Sequence, residues 1–206
     1  MDNPGQDLKD EAELIRAATD GNRSAFNELV RLKRERVVRI AFQVTSDWDD
    51  ALDVAQGVFL RLWKNLDRYD PGRRFDTWLY RVTANAAIDL LRSRGPKGHL
   101  QPLSEDHGEL KDESAVDAES VLSSAELQKA FQRLAAGLAP KQRMVFVLKE
   151  IEGVETAEVA RIMNVAESTV RNHLLQARRV LRAGLERDYP GLVPDSARRD
   201  AGSEEN

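Results

Sequence analysis

The stretch TAEVARIMNVAESTVRNHLL, residues 156–175, decides the fold of the C-terminal part of this chain. Its apolar side chains recur at helical spacing on both sides of a short break, which predicts a helix, a tight turn and a second helix. The helices can cross closely at Ala160, and Asn164 can take the left-handed conformation that ends the first helix. This pattern is typical of a helix-turn-helix, in which the inward residues would be Val159, Ala160, Met163, Val165, Val170 and Leu174.

The second helix of this pattern has an apolar side and a polar side. The apolar side, predicted to face the core, carries Val170, Leu174, Ala177 and Leu181. The outward side carries Ser168, Thr169, Arg171, Asn172, Leu175, Gln176 and Arg179. Each of these residues alone is typical of the charged surface of an ordinary helical bundle. The whole set favours DNA binding, because Arg, Asn and Gln side chains can read base edges.

The helix-turn-helix is predicted to belong to a helical domain at residues 123–188. Pro140 fits the first turn of a helix in this domain, because that position needs no backbone amide. This helix is expected to continue to Gly153, and the helix before it has an apolar stripe of Leu127, Ala130, Phe131 and Leu134.

A second helical domain is predicted for residues 12–97. Asp20-Gly21-Asn22 should separate its first two helices, and a third apolar pattern, Val37 to Val44, should end at Thr45-Ser46-Asp47, whose side chains can cap the next helix. That helix, residues 49–66, has an apolar stripe of Leu52, Ala55, Phe59, Leu62 and Trp63. A helix or broken helix is then expected for residues 75–94, and no strand-like alternation is found. The chain is therefore predicted to be all-α, with two small domains.

Charge is distributed unevenly along the chain, although the net charge is only −4. Residues 61–97 carry nine Lys and Arg against four Asp, so this segment is basic. Residues 99–126 carry eight acidic residues against one Lys. We expect residues 98–122 to be an extended acidic linker, because so few apolar groups cannot offset the entropy of ordering. Residues 1–11 and 189–206 are predicted to be flexible ends.

Several classes of protein are disfavoured by composition. The absence of Cys excludes disulfides, thiolate zinc sites and cysteine nucleophiles. The chain starts without a signal-like segment and has no apolar run of about 18 residues, so a cytoplasmic protein without membrane insertion is expected. The Asp residues between 47 and 53 lack the spacing of a metal loop, and helix capping explains them. The three His residues lack ligand spacing, so we expect no metal, cofactor, small-molecule substrate or catalytic site.

The aromatic residues near the start of the 75–94 helix divide into two groups. Phe75 and Trp78 lie three residues apart, which predicts core positions. Tyr80 falls off that stripe beside Arg81, where its phenol ring could stack on an unpaired base while the cation holds a phosphate. Core or solvent positions for Tyr80 remain alternatives.

The first domain resembles the extracytoplasmic-function sigma factors of the sigma-70 family. The resemblance rests on DALDVAQGVFLRLW at residues 50–63, FDTWLYRVTAN at residues 75–85 and AAIDLLR at residues 86–92, in that order. The second domain is similar to region 4 of the same family through LAPKQR at residues 138–143, VARIM at residues 159–163 and STVRNHLLQARRVL at residues 168–181. Apart from the linker, the resemblance covers residues 12–187.

The resemblance implies an alternative sigma factor that binds core RNA polymerase, recognises two promoter elements and promotes strand opening. It implies polymerase contacts from Asp50, Asp53, Gln56 and Arg61. It implies that Asn85 captures a flipped base of the minus-ten element, with further contacts to this element from Tyr80, Arg81, Arg92, Arg94 and Lys97. The linker is expected to thread through the polymerase, and an anti-sigma factor is an expected partner.

The resemblance also implies that the helix-turn-helix reads the minus-35 element. Major-groove contacts are expected from Arg171, Asn172, Leu175 and Gln176, and backbone contacts from Arg178 and Arg179. Ser168 and Thr169, at the start of the same helix, are also expected to contact this element.

Two positions depart from the family pattern. Gly57 stands where the family usually has Glu, which lowers helix propensity by about 1 kcal/mol. Ala166 stands where a Ser cap is usual, so the recognition helix is expected to start late unless Ser168 or Thr169 replaces the cap.

Two other functions remain as alternatives. A polymerase-independent transcription regulator would need only the helix-turn-helix, which the last 60 or so residues could supply. An enzyme or metal-dependent scaffold would need a constellation of side chains in a pocket, and the sequence offers none.

Overall fold

The computed structural model describes residues 4–70, 72–94 and 124–189. Every regular element in these ranges is helical, which confirms the all-α prediction. The first domain contains α1 (Pro4–Thr19), α2 (Arg23–Thr45), α3 (Trp48–Asn65) and α4 (Phe75–Arg94), with a short 3-10 helix at Leu66–Arg68. The second contains α5 (Ser124–Ala135), α6 (Pro140–Phe146), α7 (Thr156–Met163) and α8 (Glu167–Asp188). No helix within the described residues is long and apolar enough to cross a membrane.

The helix breaks of the first domain follow local chemistry. Gly21 has φ +89°, a conformation that glycine adopts without steric cost, and the Asn22 side chain accepts a hydrogen bond of 3.1 Å from the Ala25 amide at the start of α2. The Asp47 side chain caps α3 in the same way, accepting from the Asp50 amide at 2.9 Å. The predicted breaks at these two places are confirmed.

Two helix boundaries differ from the sequence prediction. The second and third apolar patterns form one helix of 23 residues, α2, instead of two. Residues 31–36, which are charged except for Leu32, interrupt the apolar pattern, but Leu, Lys, Arg and Glu are good helix formers, so the backbone continues through them. The first helix begins at Pro4, within the segment expected to be flexible, because a helix can extend beyond its last buried residue.

The core of the first domain lies where α3 packs against α2 and α4. The buried stripe of α3 is rotated from the predicted one. Ala51, Val54 and Val58 are buried, whereas the predicted Phe59 and Trp63 are only partly buried. Small and β-branched residues permit the close approach of three helices, and the bulkier rings pack at the edge, where Trp63 contacts Phe26 at a centroid distance of 4.8 Å.

The second domain has its own small cluster where α5 packs against α8. Leu134, Leu138, Ala177 and Leu181 are buried there. A Cβ added at Gly184 would lie 2.5 Å from a Leu134 methyl carbon, so this position admits only glycine without a shift of Leu134. The helix that starts at Pro140 continues as a π-helical turn at Val147–Ile151 and ends before Gly153, which has φ +66°. The predicted end at Gly153 is confirmed, while the π turn was not predicted.

The helix-turn-helix is built as its sequence indicates. Asn164 adopts φ 52° and ψ 52° between α7 and α8, the predicted left-handed conformation. Val159, Ala160, Val170 and Leu174 are buried, while Met163 and Val165 are half-buried. Ile162, which was not among the predicted inward residues, is also buried.

The recognition helix does not start late, so that prediction is wrong. Ala166 is its N-cap, and α8 begins at the next residue, Glu167. The Ala166 carbonyl accepts bonds from the Thr169 and Val170 amides at 3.0 and 3.1 Å. Glu167 adds a negative charge to the first turn, where the helix dipole favours it.

The two domains pack against each other, which the sequence did not predict. Helix α4 contacts α7 and α6, and α2 contacts the π turn. A single hydrophobic cluster contains buried residues of both domains, including Leu79 and Ala84 of α4 and Val145 and Val159 of the second domain. The linker predicted at residues 98–122 lies outside the described residues, as does the tail after Tyr189.

Candidate nucleic-acid interface

Helix α8 presents a continuous polar face to solvent. Its buried residues Val170, Leu174, Ala177 and Leu181 anchor the opposite side, as predicted. The outward residues Ser168, Arg171, Asn172, Leu175, Arg178 and Arg179 are exposed, and Thr169 and Gln176 are half-buried. The structure therefore brings together on one helix all of the residues predicted for the minus-35 element. We call this set the α8 face.

The cations near the α8 face are held by weak ion pairs. Arg171 lies 3.4 Å from Glu167 one turn earlier, and Arg178 donates a hydrogen bond of 2.8 Å to Glu150 at the π turn. These arginine side chains are more than half exposed, so each pair contributes at most about 1 kcal/mol. A phosphate or a base edge could replace either carboxylate at little cost.

Burial lowers the pKa of His173 on the same helix, and Lys141 lowers it further. The imidazole is therefore neutral near pH 7 and adds no positive charge to the surface.

Helix α4 presents a second exposed row. Arg81 and Asn85 lie one turn apart, and Arg92 follows two turns after Asn85, all of them exposed. The opposite side of the helix is fixed in the core by Ala84, Ala87, Ile88 and Leu91. This arrangement places the Asn85 amide between two guanidinium groups on a rigid helix. Lys97, which was predicted to act with them, lies outside the described residues.

Tyr80 is buried between the domains, which corrects the expectation of an accessible ring beside Arg81. Its side chain is 5% exposed, its hydroxyl has no hydrogen-bond partner among the described residues, and the Arg36 guanidinium lies 5.3 Å from the ring centroid. Burial raises the pKa of the phenol far above its usual value. Of the alternatives left open by the sequence, the core position is the one observed, because α7 packs on this side of α4.

Asp50 is buried, which corrects the expectation that it faces a partner from the surface of α3. Its side chain is 6% exposed and its Oδ1 is paired with the Arg94 guanidinium at the end of α4. Burial raises the pKa of Asp50, nearby Asp47 raises it further and Arg94 opposes the shift. Asp50 therefore ties α3 to α4, and Arg94 has a structural contact besides any contact with phosphate.

Replacing Arg94 with alanine should lower the thermal midpoint of unfolding, since the Asp50 carboxylate would stay buried without its cation. Loss of one partner from a fully buried pair costs about 3–5 kcal/mol, and we expect about 1–3 kcal/mol because the Arg94 side chain is 35% exposed. Arg92→Ala, on the exposed face of the same helix, is the matched control and should unfold like the wild type. Equal midpoints in circular dichroism melts of the two variants would contradict a structural role for Arg94.

The other residues predicted for polymerase docking are accessible. Asp53, Gln56 and Arg61 are exposed on α3. The sequence pattern missed Leu60, which lies among them and is 55% exposed. Gly57 lies on the same side, and a Cβ added there would meet nothing within 4 Å, so the fold itself does not require glycine at this position.

Hydrogen bonds and ion pairs of charged side chains join the two domains, and the sequence did not predict them. The Glu152 carboxylate, 2% exposed, accepts hydrogen bonds from Arg36 at 3.0 Å and from Arg39 at 3.0 and 3.2 Å. Thr77 of α4 bonds to Glu158 of α7. The partners in these contacts lie more than 80 residues apart in sequence, so no local pattern could reveal them.

A buried arginine adds a further contact between the domains. The Arg143 guanidinium donates to the Gln43 carbonyl at 2.9 Å and to the Ser46 hydroxyl. Burial lowers the pKa of Arg143 to about 10. Arg143, a residue of the second domain, therefore donates hydrogen bonds to acceptor groups at the C-terminal end of α2.

The described residues contain no group of three or more His, Asp or Glu side chains arranged to hold a metal ion. The chemistry of the two exposed faces is that of cations and amides, which suits nucleic acid.

Two protein-family models match the chain, one in each of the two helical domains. Sigma-70 region 2 matches residues 29–96, and Sigma-70 region 4 matches residues 128–181. Both exposed faces described above lie inside these matches.

Individual relatives match across both domains. The chain is 30% identical over 176 residues to the ECF RNA polymerase sigma factor SigW of Bacillus subtilis, covering 83% of this chain and 94% of the relative. It is 32% identical over 158 residues to the ECF RNA polymerase sigma factor SigE of Mycolicibacterium smegmatis, covering 77% and 60%. It is 29% identical over 175 residues to the ECF RNA polymerase sigma-E factor of Escherichia coli, covering 82% and 90%.

Two solved structures share the fold. CnrH in complex with the cytosolic domain of CnrY aligns with a TM-score of 0.65 and 24% identity, covering 87% of this chain and 99% of that one. The sigma factor RpoE of Bartonella quintana, in complex with the anti-sigma factor NepR, aligns with a TM-score of 0.60 and 21% identity, covering 79% and 98%.

Proposed function

The chain belongs to the extracytoplasmic-function sigma factors of the sigma-70 family, and we propose from this premise how its residues divide the work of transcription initiation. It is an alternative sigma factor for promoter recognition. Sigma factors are transcription initiation factors, and we propose that this chain has no catalytic activity of its own and acts in the cytoplasm. The observation that carries the assignment of roles is the pair of exposed polar faces on α4 and α8, one in each family region.

The α8 face reads the minus-35 element in this proposal. Arg171, Asn172, Leu175 and Gln176 point away from the core, so they can enter the major groove when the helix docks there. Arg178 and Arg179 contact the backbone, and Ser168 and Thr169 lie at the helix start, where exposed amides suit a phosphate. A polymerase-independent regulator would need only this face, and the match of residues 29–96 to region 2 favours the sigma factor over that alternative.

The exposed row of α4 captures the minus-ten element. Asn85 offers a donor and an acceptor to the edge of a flipped base, while Arg81, Arg92 and Lys97 neutralise phosphates beside it. Arg94 is paired with Asp50, so any contribution it makes to phosphate binding comes while it also holds the Asp50 carboxylate. Tyr80 joins this surface only after the second domain moves away from α4.

Helix α3 docks on the polymerase through Asp53, Gln56 and Arg61. These residues are exposed on the side of α3 that no described helix covers. Asp50 acts indirectly, because its buried pair with Arg94 fixes the start of α3 relative to α4.

The closed arrangement must open before both promoter elements are bound. The names of the two elements place them about 25 base pairs apart, which is roughly 85 Å of duplex at about 3.4 Å per base pair. Here α4 packs directly on α7, the helix before α8, so the two domains are in contact and cannot hold their reading helices that far apart. Residues 95–123 connect the domains and could span about 100 Å if fully extended, which is long enough for this separation.

We also propose that an anti-sigma protein holds the chain inactive. The Bartonella quintana neighbour was solved with such a protein bound. An anti-sigma protein that covers the α3 surface or the α4 row would block polymerase docking or base capture.

Replacing Asn85 with alanine should impair promoter opening more than polymerase binding. A well-placed amide contact with a base edge is worth about 1–3 kcal/mol, so we expect about tenfold fewer open complexes. Open complexes are measured by permanganate reactivity of unpaired thymines, and polymerase binding by a fluorescence titration. Asp89→Ala, one turn further along the same exposed row, is the control and should open promoters normally. Equal losses in binding and in opening would contradict the role given to Asn85.

A further inference from the structure

An acidic segment of the second domain lies against a cationic surface of the first domain. The segment EIEGVETAE, residues 150–158, carries four glutamates in nine residues. Three of them line one side of a crevice between the domains, namely Glu152, Glu155 and Glu158. On the other side of the crevice lie Arg36, Arg74 and Tyr80 of the first domain. The two sides of the contact therefore have opposite charge.

The basic side of this contact consists of Arg36, Arg39, Arg74 and Tyr80, which we call the cationic wall. The guanidinium groups of Arg36 and Arg39 donate hydrogen bonds of 3.0 to 3.2 Å to the buried Glu152 carboxylate. Asp76 also lines the first-domain side, but its carboxylate is paired with Lys33 at 2.9 Å. The wall is thus cationic, and in the closed form a carboxylate of the second domain occupies it.

Tyr80 is covered by the second domain without being satisfied by it. The side chain is 5% exposed, and its hydroxyl has no hydrogen-bond partner among the described residues. A buried hydroxyl without a partner is unfavourable, so the closed form does not use the full bonding capacity of the wall. The Arg36 guanidinium lies 5.3 Å from the Tyr80 ring centroid, and both residues belong to the first domain. Opening of the domains would therefore expose a ring and a cation together.

Cations beside an aromatic ring are suited to single-stranded nucleic acid, whose bases stack on the ring while its phosphates pair with the cations. A duplex is a poorer partner, because its bases are already stacked on one another. Guanidinium groups bind phosphate with the same donors that hold the Glu152 carboxylate here. The wall also adjoins the exposed row of α4, since Tyr80 directly precedes Arg81 and Asn85 follows one turn later. A strand held at Asn85 can therefore continue onto the wall.

We propose that the cationic wall binds the backbone of single-stranded DNA, and that the acidic segment takes the place of this DNA while the domains are closed. This inference rests on the proposed opening of the two domains during initiation. The segment and the strand compete for the same guanidinium groups, so closure and strand binding exclude each other. By linkage, the strand favours the open form by the factor with which opening strengthens strand binding.

The test titrates the full-length protein with a fluorescein-labelled single strand of about 12 nucleotides, a length that such surfaces accommodate, and measures fluorescence anisotropy. Glu152→Arg should bind the strand about tenfold more tightly than the wild type, because the wall is free in a larger fraction of the molecules. Glu150→Arg introduces the same charge but breaks only a pair within the second domain. It is the matched control and should bind the strand like the wild type.

A second substitution distinguishes a DNA contact from a clasp that only holds the domains closed. Arg39→Ala added to Glu152→Arg should weaken strand binding. It should also lower the slope of log affinity against log salt concentration by about 0.7, the value for one phosphate contact on a single strand. Arg34→Ala, an exposed position on the other side of α2, is the control and should keep the slope. An unchanged affinity and slope after Arg39→Ala, or an equal loss after Arg34→Ala, would overturn the inference.

The wild-type chain itself should open when the strand binds. Energy transfer between dyes on one introduced cysteine in each domain should fall as the strand is added. Binding without this fall would overturn the inference, because the strand would then lie outside the wall. Equal strand affinity of the wild type and of a Glu152→Arg variant whose dyes show it to be open would also overturn it. These results leave promoter recognition intact, whereas a wild-type protein that directs core polymerase to no promoter would contradict the proposed function itself.

Discussion

Replacing Glu152 with arginine should separate the two domains of the free protein. The wild-type carboxylate is almost fully buried and accepts hydrogen bonds from both Arg36 and Arg39 of the first domain. The substitution removes these bonds and brings a third guanidinium group into the same place. The apolar contacts between the domains would remain, together with the hydrogen bonds of Arg143 to Gln43 and of Thr77 to Glu158.

The expected size of this effect follows from the burial of the three side chains. Breaking a fully buried pair costs about 3–5 kcal/mol, but Arg36 and Arg39 are 43% and 38% exposed and can be rehydrated. We therefore expect a loss of about 2 kcal/mol, which lowers the ratio of closed to open molecules about thirtyfold. Small-angle X-ray scattering should show a larger radius of gyration without loss of helix content.

Glu150→Arg is a closely matched control for this experiment. It makes the same charge change two residues earlier, within the π turn that Glu152 follows, but Glu150 pairs with Arg178 of its own domain. Its scattering should match that of the wild type. Because the chain has no cysteine, one cysteine introduced into each domain would allow energy transfer between two dyes to report the same separation.

Exchanging the charges of Arg39 and Glu152 tests whether their ion pair keeps the two domains in contact. Arg39→Glu combined with Glu152→Arg restores one opposite-charge contact and should recover part of the closed population. If Glu152→Arg left the radius of gyration unchanged, or if Glu150→Arg raised it equally, the ion pair would not hold the closed arrangement.

Most of the helical architecture could be predicted from local sequence signals. The turn at Gly21, the cap at Asp47 and the left-handed Asn164 each depend on one or two residues and their immediate neighbours. The second and third apolar patterns were described separately but belong to one helix, α2, because charged residues interrupt the apolar pattern without interrupting the helix. The π turn at Val147–Ile151, which α2 contacts, was not predicted, because no local signal in its sequence distinguishes it from an ordinary helical turn.

The outward face of a helix follows from its buried stripe, which is why the exposed positions on α4 and α8 could be predicted in advance. Two predicted site residues, Asp50 of α3 and Tyr80 of α4, were instead found buried, because their burial depends on residues far away in sequence. Asp50 is covered through Arg94 at the end of another helix, and Tyr80 is covered by the second domain. A polar residue can be buried when a distant partner compensates it, and the sequence of its own helix carries no sign of that partner.

The contacts between the domains were beyond prediction for the same reason. Glu152 and Arg143 follow no periodic pattern that distinguishes them from surface charges. Their burial depends on the first domain lying against the second, with Glu152 facing α2 and Arg143 facing the end of that helix.

Transcription in vitro with core RNA polymerase tests the central claim most directly. Core enzyme lacking any sigma factor is supplied with genomic DNA fragments, with or without this protein, and the 5′ ends of the transcripts are sequenced. We predict a set of start sites that appears only with the protein and that shares elements near minus ten and minus 35. The same start sites should weaken with Arg171→Ala and with Asn85→Ala. The absence of any start site that depends on the protein would contradict the account.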